Sequence, residues 1–132
     1  MKKRIFCTFL AMIILVIATF PVVAVQPRWA YTSSVSFFMY FSGTTGSLEG
    51  CVVGSSEVSK IEGTITLYKK NFLGLWSKTG DKWSVSSSSN NLFINETFNA
   101  TSGKQYKAVL DVDVYSGSNS ENITDDATGT CP

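Results

Sequence analysis

The chain has 132 residues, 11 Lys+Arg against 10 Asp+Glu, a net charge of +1 and no histidine. That length supports one domain. The missing histidine excludes His-based catalytic triads and His-ligated metals, the two cysteines beyond residue 24 exclude Cys-rich zinc modules, and the near-neutral balance argues against a nucleic-acid binder that works by neutralising phosphates.

Met1-Lys2-Lys3-Arg4 is a positive n-region, Ile5 to Phe20 is uncharged and largely apolar, and Pro21 precedes Val22-Val23-Ala24, with a small or modest side chain at each cleavage position. This three-part layout is that of a secretory signal peptide over residues 1–24, cut after Ala24. The alternative is an uncleaved membrane anchor, because Ile5 to Val25 is 21 residues without a charge and long enough to span a bilayer. On either reading the positive cluster stays inside and the rest is delivered outside, so the expected location is extracellular. Cys7 lies at the start of the apolar run and is lost on processing. Without residues 1–24 the chain keeps eight basic and ten acidic side chains, a net charge of −2.

A tether, residues 25–32, leads into a domain expected over 33–132. From Ser33 onward the dominant pattern has period two. Val35, Phe37, Met39 and Phe41 share one face of a first strand, and Phe38 and Tyr40 the other, which fits a strand buried on one side and partly covered on the other. A turn at Gly43-Thr44-Thr45-Gly46 leads to a second strand, Ser47 to Val53. Lys60 to Lys69 alternates most cleanly, with Ile61, Gly63, Ile65 and Leu67 on one side. Lys70 to Gly74 reads as a hairpin loop. In the strand after it, Leu75 to Ser86, Trp76 and Trp83 fall on opposite faces unless a bulge at Gly80 brings both indoles to one side. Leu92 to Phe98 is a further strand. Lys104 to Tyr115 is the last strong one, with Tyr106, Ala108, Leu110, Val112 and Val114 on its apolar face. Residues 116–132 are weakly patterned and read as a short edge strand around Asn122-Ile123-Thr124 or a mobile tail.

Six strands and a doubtful seventh, with turns every 8–12 residues, predict an all-β fold, a two-sheet antiparallel β-sandwich; an open Greek-key barrel is the alternative. Gly103-Lys104-Gln105-Tyr106 resembles the tyrosine corner of immunoglobulin-like and fibronectin-type domains, in which a Tyr hydroxyl bonds the turn backbone. With Leu67-Tyr68-Lys69-Lys70, Gly74-Leu75-Trp76 and Lys82-Trp83-Ser84, the chain resembles the small secreted β-sandwich proteins of Gram-positive bacteria, a group of unassigned function, over roughly residues 35–115. The resemblance implies export and a sandwich and carries no catalytic residues across.

Chemistry-bearing residues are few. Cys51 and Cys131 are the candidate disulfide in an oxidising compartment, worth roughly 4 kcal/mol if unstrained; two separate thiols are the alternative. With no histidine to deprotonate it, neither is expected to act as a nucleophile. Asp111 and Asp113 project from one face, and with Glu121, Asp125 or Asp126 they could hold Ca²⁺, but a solvated acidic edge is the preferred reading. Glycosidase chemistry from such a pair is disfavoured because a domain this small offers little cleft. Both Trp residues are expected to fill the core, which leaves Tyr68 and Phe72, in or beside the hairpin, as the candidate ligand contacts. Lys60, Lys69, Lys70, Lys78 and Lys82 cluster in sequence apart from the acidic 111–126 stretch, which would make the domain dipolar and could orient it on an anionic cell wall; ordinary solubilising charge on strand edges is the preferred reading. Three Asn-x-Thr triplets, at Asn95, Asn99 and Asn122, fit the N-glycosylation pattern and read here as turn composition.

The expectation is thus a secreted, non-enzymatic domain without a catalytic, cofactor or metal site. Its partner would be an extracellular ligand, a wall glycan or a protein. No nucleic acid is expected, and a membrane only through an uncleaved N-terminus. A secreted antimicrobial or inhibitory protein is the alternative role.

Overall fold

The computed structural model describes residues 29–132. The signal peptide, the cut after Ala24, the alternative anchor, Cys7 and residues 25–28 of the tether lie outside the described residues. Seven antiparallel strands follow in order: β1 (Thr32–Ser42), β2 (Thr45–Gly54), β3 (Lys60–Lys70), β4 (Trp76–Ser87), β5 (Asn91–Asn99), β6 (Gln105–Ser116) and β7 (Asn119–Thr130). They form a three-stranded sheet in the order β1-β2-β5 and a four-stranded sheet in the order β4-β3-β6-β7. The inner faces of both sheets contribute to one core.

The core follows from alternation. On β6 the side chains of Tyr106, Ala108, Leu110, Val112 and Val114 are all buried, and their neighbours Lys107, Asp111 and Asp113 face outward. Ten consecutive residue pairs, Lys60↔Tyr115 to Lys69↔Tyr106, join β6 to β3, so Ile61, Ile65 and Leu67 enter the same layer. Leu48, Val52, Leu92, Ile94 and Phe98 meet them from the three-stranded sheet. Gly46 pairs directly with Phe98, and the ring lies where a Cβ at Gly46 would stand. A larger residue there would push the ring out of the cluster it forms with Phe41, Tyr106 and Trp83.

Pairing and hydrogen bonds divide the strand ends between two poles. The chain enters at one, where the Ser55 N–H donates to Tyr31 O, the Gly54 N–H to Asn90 O and the Ser59 N–H to Tyr115 O. The other pole holds the β1–β2 turn, the β3–β4 hairpin and the β5–β6 turn, tied by the Ala100 N–H to Thr44 O and the Gly103 N–H to Cys131 O. Here the corner motif makes its expected bond: the Thr101 N–H donates to the Tyr106 hydroxyl oxygen at 2.8 Å.

The structure departs from the sequence reading at several points. Residues 119–130 are a full strand, neither a tail nor a short edge piece. Its buried Ile123 and Ala127 are spaced by four among polar neighbours, which weakens the apolar signal. Thr32, assigned to the tether, opens β1 and is buried. Phe38 and Tyr40 are not covered; they are 62% and 46% exposed on the outer face of the three-stranded sheet. Gly80, at φ +97°, does sit in a bulge, yet the indoles stay on opposite faces. Between the pairs Thr66↔Lys82 and Tyr68↔Lys78, β3 has one residue and β4 three. Two extra residues preserve the parity of a period-two strand, whereas one would have reversed it. Leu67 O, opposite the bulge, accepts from the Thr79 hydroxyl at 3.2 Å.

Cys51 and Cys131 are both free, which overturns the proposed bridge. Cys51 alternates with buried Leu48 and Val52 and half-faces solvent on β2, whereas Cys131 is buried beside Gly43 O, at the far end of the β1–β2 hairpin. One thiol points out of a sheet and the other into the core, and neither Cβ faces its partner as a disulfide requires. A thiol-alkylating reagent applied to folded protein should therefore modify Cys51 alone. Cys131 should react only after denaturation, and the intact mass should be that of two thiols. Tyr106→Phe removes the acceptor of the Thr101 N–H and should cost about 1–2 kcal/mol in urea unfolding, with an unchanged slope.

Candidate functional site

The two candidate contacts from sequence, Tyr68 and Phe72, both lie on the β3–β4 hairpin. Tyr68 is half-buried on the outer face near the end of β3, and Phe72 is 92% exposed in the loop. Leu73 and Leu75 stand beside it at 67% and 61% exposure. Such exposure of three large apolar side chains in succession is not ordinary surface scatter.

Asn71 holds the loop in this shape. Its backbone N–H donates to Leu75 O at 2.8 Å, and its own carbonyl accepts from the Gly74 N–H at 3.0 Å. Its side-chain Oδ1 accepts from the Leu73 and Leu75 N–H groups at 2.9 and 3.0 Å. Gly74 turns the chain at φ +77°, a region open to glycine at little cost. The loop thus satisfies much of its own backbone and leaves its apolar side chains projecting.

Behind the tip, Trp76 pairs with Lys70 and shares the outer face with Tyr68, which corrects the expectation that both indoles fill the core. Trp83 does pack against the core. The Lys70 ammonium lies 5.6 Å from the Trp76 ring centre, and that of Lys107 lies 5.0 Å from Trp76 and 5.6 Å from Tyr68. These contacts fall within cation–π range and orient both rings. Between the hairpin and the β5–β6 turn is an open cleft of about 230 Å³ lined by Lys70, Asn71, Phe72, Gly103, Lys104 and Gln105. Sequence reasoning missed Lys104 and Lys107, which lie some thirty residues from the hairpin in the chain and reach it only through the β3–β6 pairing.

Elsewhere the acidic side chains singled out from the sequence are in part engaged with neighbours. The Asn122 side-chain amide donates to Asp111 Oδ1 at 2.6 Å and Asp113 Oδ1 at 3.0 Å, which knits the carboxylates into the sheet surface. Among the described residues, no three His, Cys, Asp or Glu side chains converge as metal ligands. Glu121 is turned toward the chain entry, not toward Asp111. Its carboxylate accepts from the Ala30 N–H at 2.8 Å, the Tyr31 N–H at 2.7 Å and the Thr32 hydroxyl at 2.8 Å. Desolvation pushes this carboxyl up, but the Thr32 hydroxyl and the backbone N–H groups outweigh it and leave the pKa below its ordinary value. A second exposed group, Phe38, Tyr40 and Phe93, lies on the outer face of the three-stranded sheet, where the Tyr40 hydroxyl donates to Glu49.

No family model matches the chain, and no curated protein matches it. Among solved structures, the solution structure of R. palustris CsgH aligns with 71% of this chain and 87% of its own at 17% identity, with a TM-score of 0.40. A likeness that distant carries nothing about role.

Glu121→Gln should lower stability at neutral pH by about 1 kcal/mol, a modest loss because the group is only partly shielded from solvent. A depressed folded-state pKa adds stability that is present above the unfolded value, about 4.3, and is lost as pH falls through the folded one. The gap between wild type and Glu121→Gln in urea midpoints should therefore hold from neutrality down to the unfolded value and close only as pH falls below it.

Proposed function

We propose that this is a secreted, non-enzymatic domain of immunoglobulin-like, fibronectin-type build that binds an extracellular partner through its β3–β4 hairpin pole. One observation carries the reading: a hairpin whose backbone is held by Asn71 presents Phe72, Leu73 and Leu75 to solvent, with Tyr68 and Trp76 behind them. A fold gains nothing from ordering large apolar groups in water, and preorganised aromatic and aliphatic anchors are what binding surfaces use. The immunoglobulin-like build is supported by the three-against-four division of strands and by the bond from the Thr101 N–H to Tyr106. Export is supported by the signal-like pattern of residues 1–24, and the kinship with small Gram-positive secreted proteins by the residue runs that include this hairpin.

The partner is a component of the cell surface or the medium, and the wall glycan and protein expected from the sequence are the first classes to screen. Secreted inhibition of other cells is the second reading, favoured by the same apolar tip among lysines. Clearing of a lawn spotted with purified protein would select it over adhesion.

Purified exported protein should be retained on cells, isolated wall polymer or a captured exported protein. Tyr68→Ala combined with Phe72→Ala should cut that retention about tenfold, a loss of about 1.4 kcal/mol. Retention that is unaffected by the double substitution would move the contact away from this pole.

A further inference from the structure

We infer that the hairpin pole docks on a bilayer containing anionic phospholipid, with Phe72, Leu73 and Leu75 entering the interface and the surrounding lysines meeting the headgroups. The inference rests on the reading that this pole is the contact surface and names what it contacts.

Charge is the first argument. Cut at the rung that joins Leu67, Ala108 and Ala127, the pole comprises residues 40–47, 67–79, 97–108 and 127–132 and contains five lysines and no carboxylate side chain, with Asp81 of the β4 bulge, Glu96 and Asp126 bordering it. Asp111, Asp113 and Glu121 lie farther toward the chain entry. An excess of lysine at one end of a domain with a net charge of −2 after residue 24 makes that end the side an anionic surface attracts.

The second argument is the order of side chains along the approach axis. The tip is aliphatic and aromatic. Tyr68 and Trp76 stand one step behind it, and Lys70 and Lys107 lie over their rings. Apolar residues first, then amphipathic rings and ammonium groups together, matches the change from acyl boundary to headgroup layer. Lysine stems of this length reach back to the phosphates while the tip descends. The cleft lined by Lys70 and Lys104 offers two ammonium groups to a headgroup phosphate beside the inserted Phe72.

Backbone accounting supplies the third. Insertion into an apolar layer is costly for any N–H or C=O left without a partner. Of the five N–H groups from Asn71 to Leu75, those of Asn71, Leu73, Gly74 and Leu75 are bonded within the loop, which leaves that of Phe72 to the headgroup layer. A wall glycan would instead stack on open aromatic faces, but lysine ammonium groups already lie over Trp76 and Tyr68. A glycan also gives Leu73 and Leu75 nothing to bury against.

The test is co-sedimentation of exported protein with vesicles of equal parts phosphatidylcholine and phosphatidylglycerol, and with phosphatidylcholine alone. Every variant keeps the same N-terminus as wild type, so that segment cancels. Wild type should partition onto the anionic vesicles and much less onto the neutral ones, and should weaken as salt rises. Phe72→Ser, Leu73→Ser and Leu75→Ser together should lower partitioning at least tenfold. Their thermal midpoint should be unchanged, because these side chains are exposed. Lys70→Gln with Lys104→Gln should lower partitioning about tenfold or more and remove the preference for anionic lipid. Trp emission should shift to the blue on anionic vesicles, and the shift should vanish in Trp76→Phe. Failure of wild type to partition, a tip variant that partitions like wild type, or equal partitioning onto both vesicles would overturn the inference. If the vesicles fail while wall polymer or a protein retains the domain in a tip-dependent way, the bilayer is excluded and the pole remains the contact surface.

Discussion

The β3–β6 ladder is the constraint on which the remainder depends. Its ten pairs put Ile61, Ile65 and Leu67 beside Tyr106, Ala108 and Leu110 in one layer. Side chains alternate between faces with period two, so a slip of one residue would turn Lys107, Asp111 and Asp113 inward and expose the apolar set. Burial of charge without a partner is costly enough to forbid that register. The same pairing that secures the core also sets Lys107 opposite Tyr68 and within reach of Trp76. The candidate site is therefore a product of the core's register: a mutation that disturbed one would disturb the other.

Contacts outside the ladders close the sandwich at its poles. At the chain entry, Glu121 on β7 gathers two backbone N–H groups and a hydroxyl from the segment leading into β1, joining edge strands of different sheets. At the opposite pole, Tyr106 anchors the β5–β6 turn through the Thr101 N–H, and Phe41 and Met39 lie against Gly129 of β7. The Glu121 bonds and the packing of Met39 and Phe41 on Gly129 join β1 to β7, edge strands of different sheets that no ladder connects. The β5–β6 turn is the wall of the cleft that faces the hairpin, so the Tyr106 bond holds one side of the site as well as one end of the fold.

Alternation made most strands legible. Where one face is wholly apolar, as on β3 and β6, element and orientation both follow from the residues. Legibility failed where the signal was counted over the wrong interval. On β4 the question was whether a bulge existed; the deciding quantity was the number of residues inserted, and two inserted residues leave Trp76 outside and Trp83 inside. On β7 only Ile123 and Ala127 carry the apolar face, too sparse to distinguish a strand from a tail. Both faces of β1 are apolar, which suggests cover on each, yet among the described residues no element lies over Phe38 and Tyr40. For the site, Tyr68 and Phe72 were found because hairpin loops and aromatic residues are both local signals. Lys104, Lys107 and the role of Glu121 depend on contacts across thirty to ninety residues, and no local pattern encodes those.

The poles also bear on how the domain meets its surroundings. The chain enters beside Tyr31 and Ser55, whereas Phe72 lies beyond the far end of a ladder of ten pairs, a separation of about 30 Å. The tip thus lies at the pole opposite the one where the chain enters, whether residues 1–24 remain in a membrane or are removed. Internally bonded amides in the loop matter in both cases, because a flexible tip would collapse its phenyl and leucine side chains onto the sheet. Asn71 prevents that collapse by taking the Leu73 and Leu75 N–H groups on one carboxamide oxygen, so a single side chain converts an apolar sequence into an apolar projection.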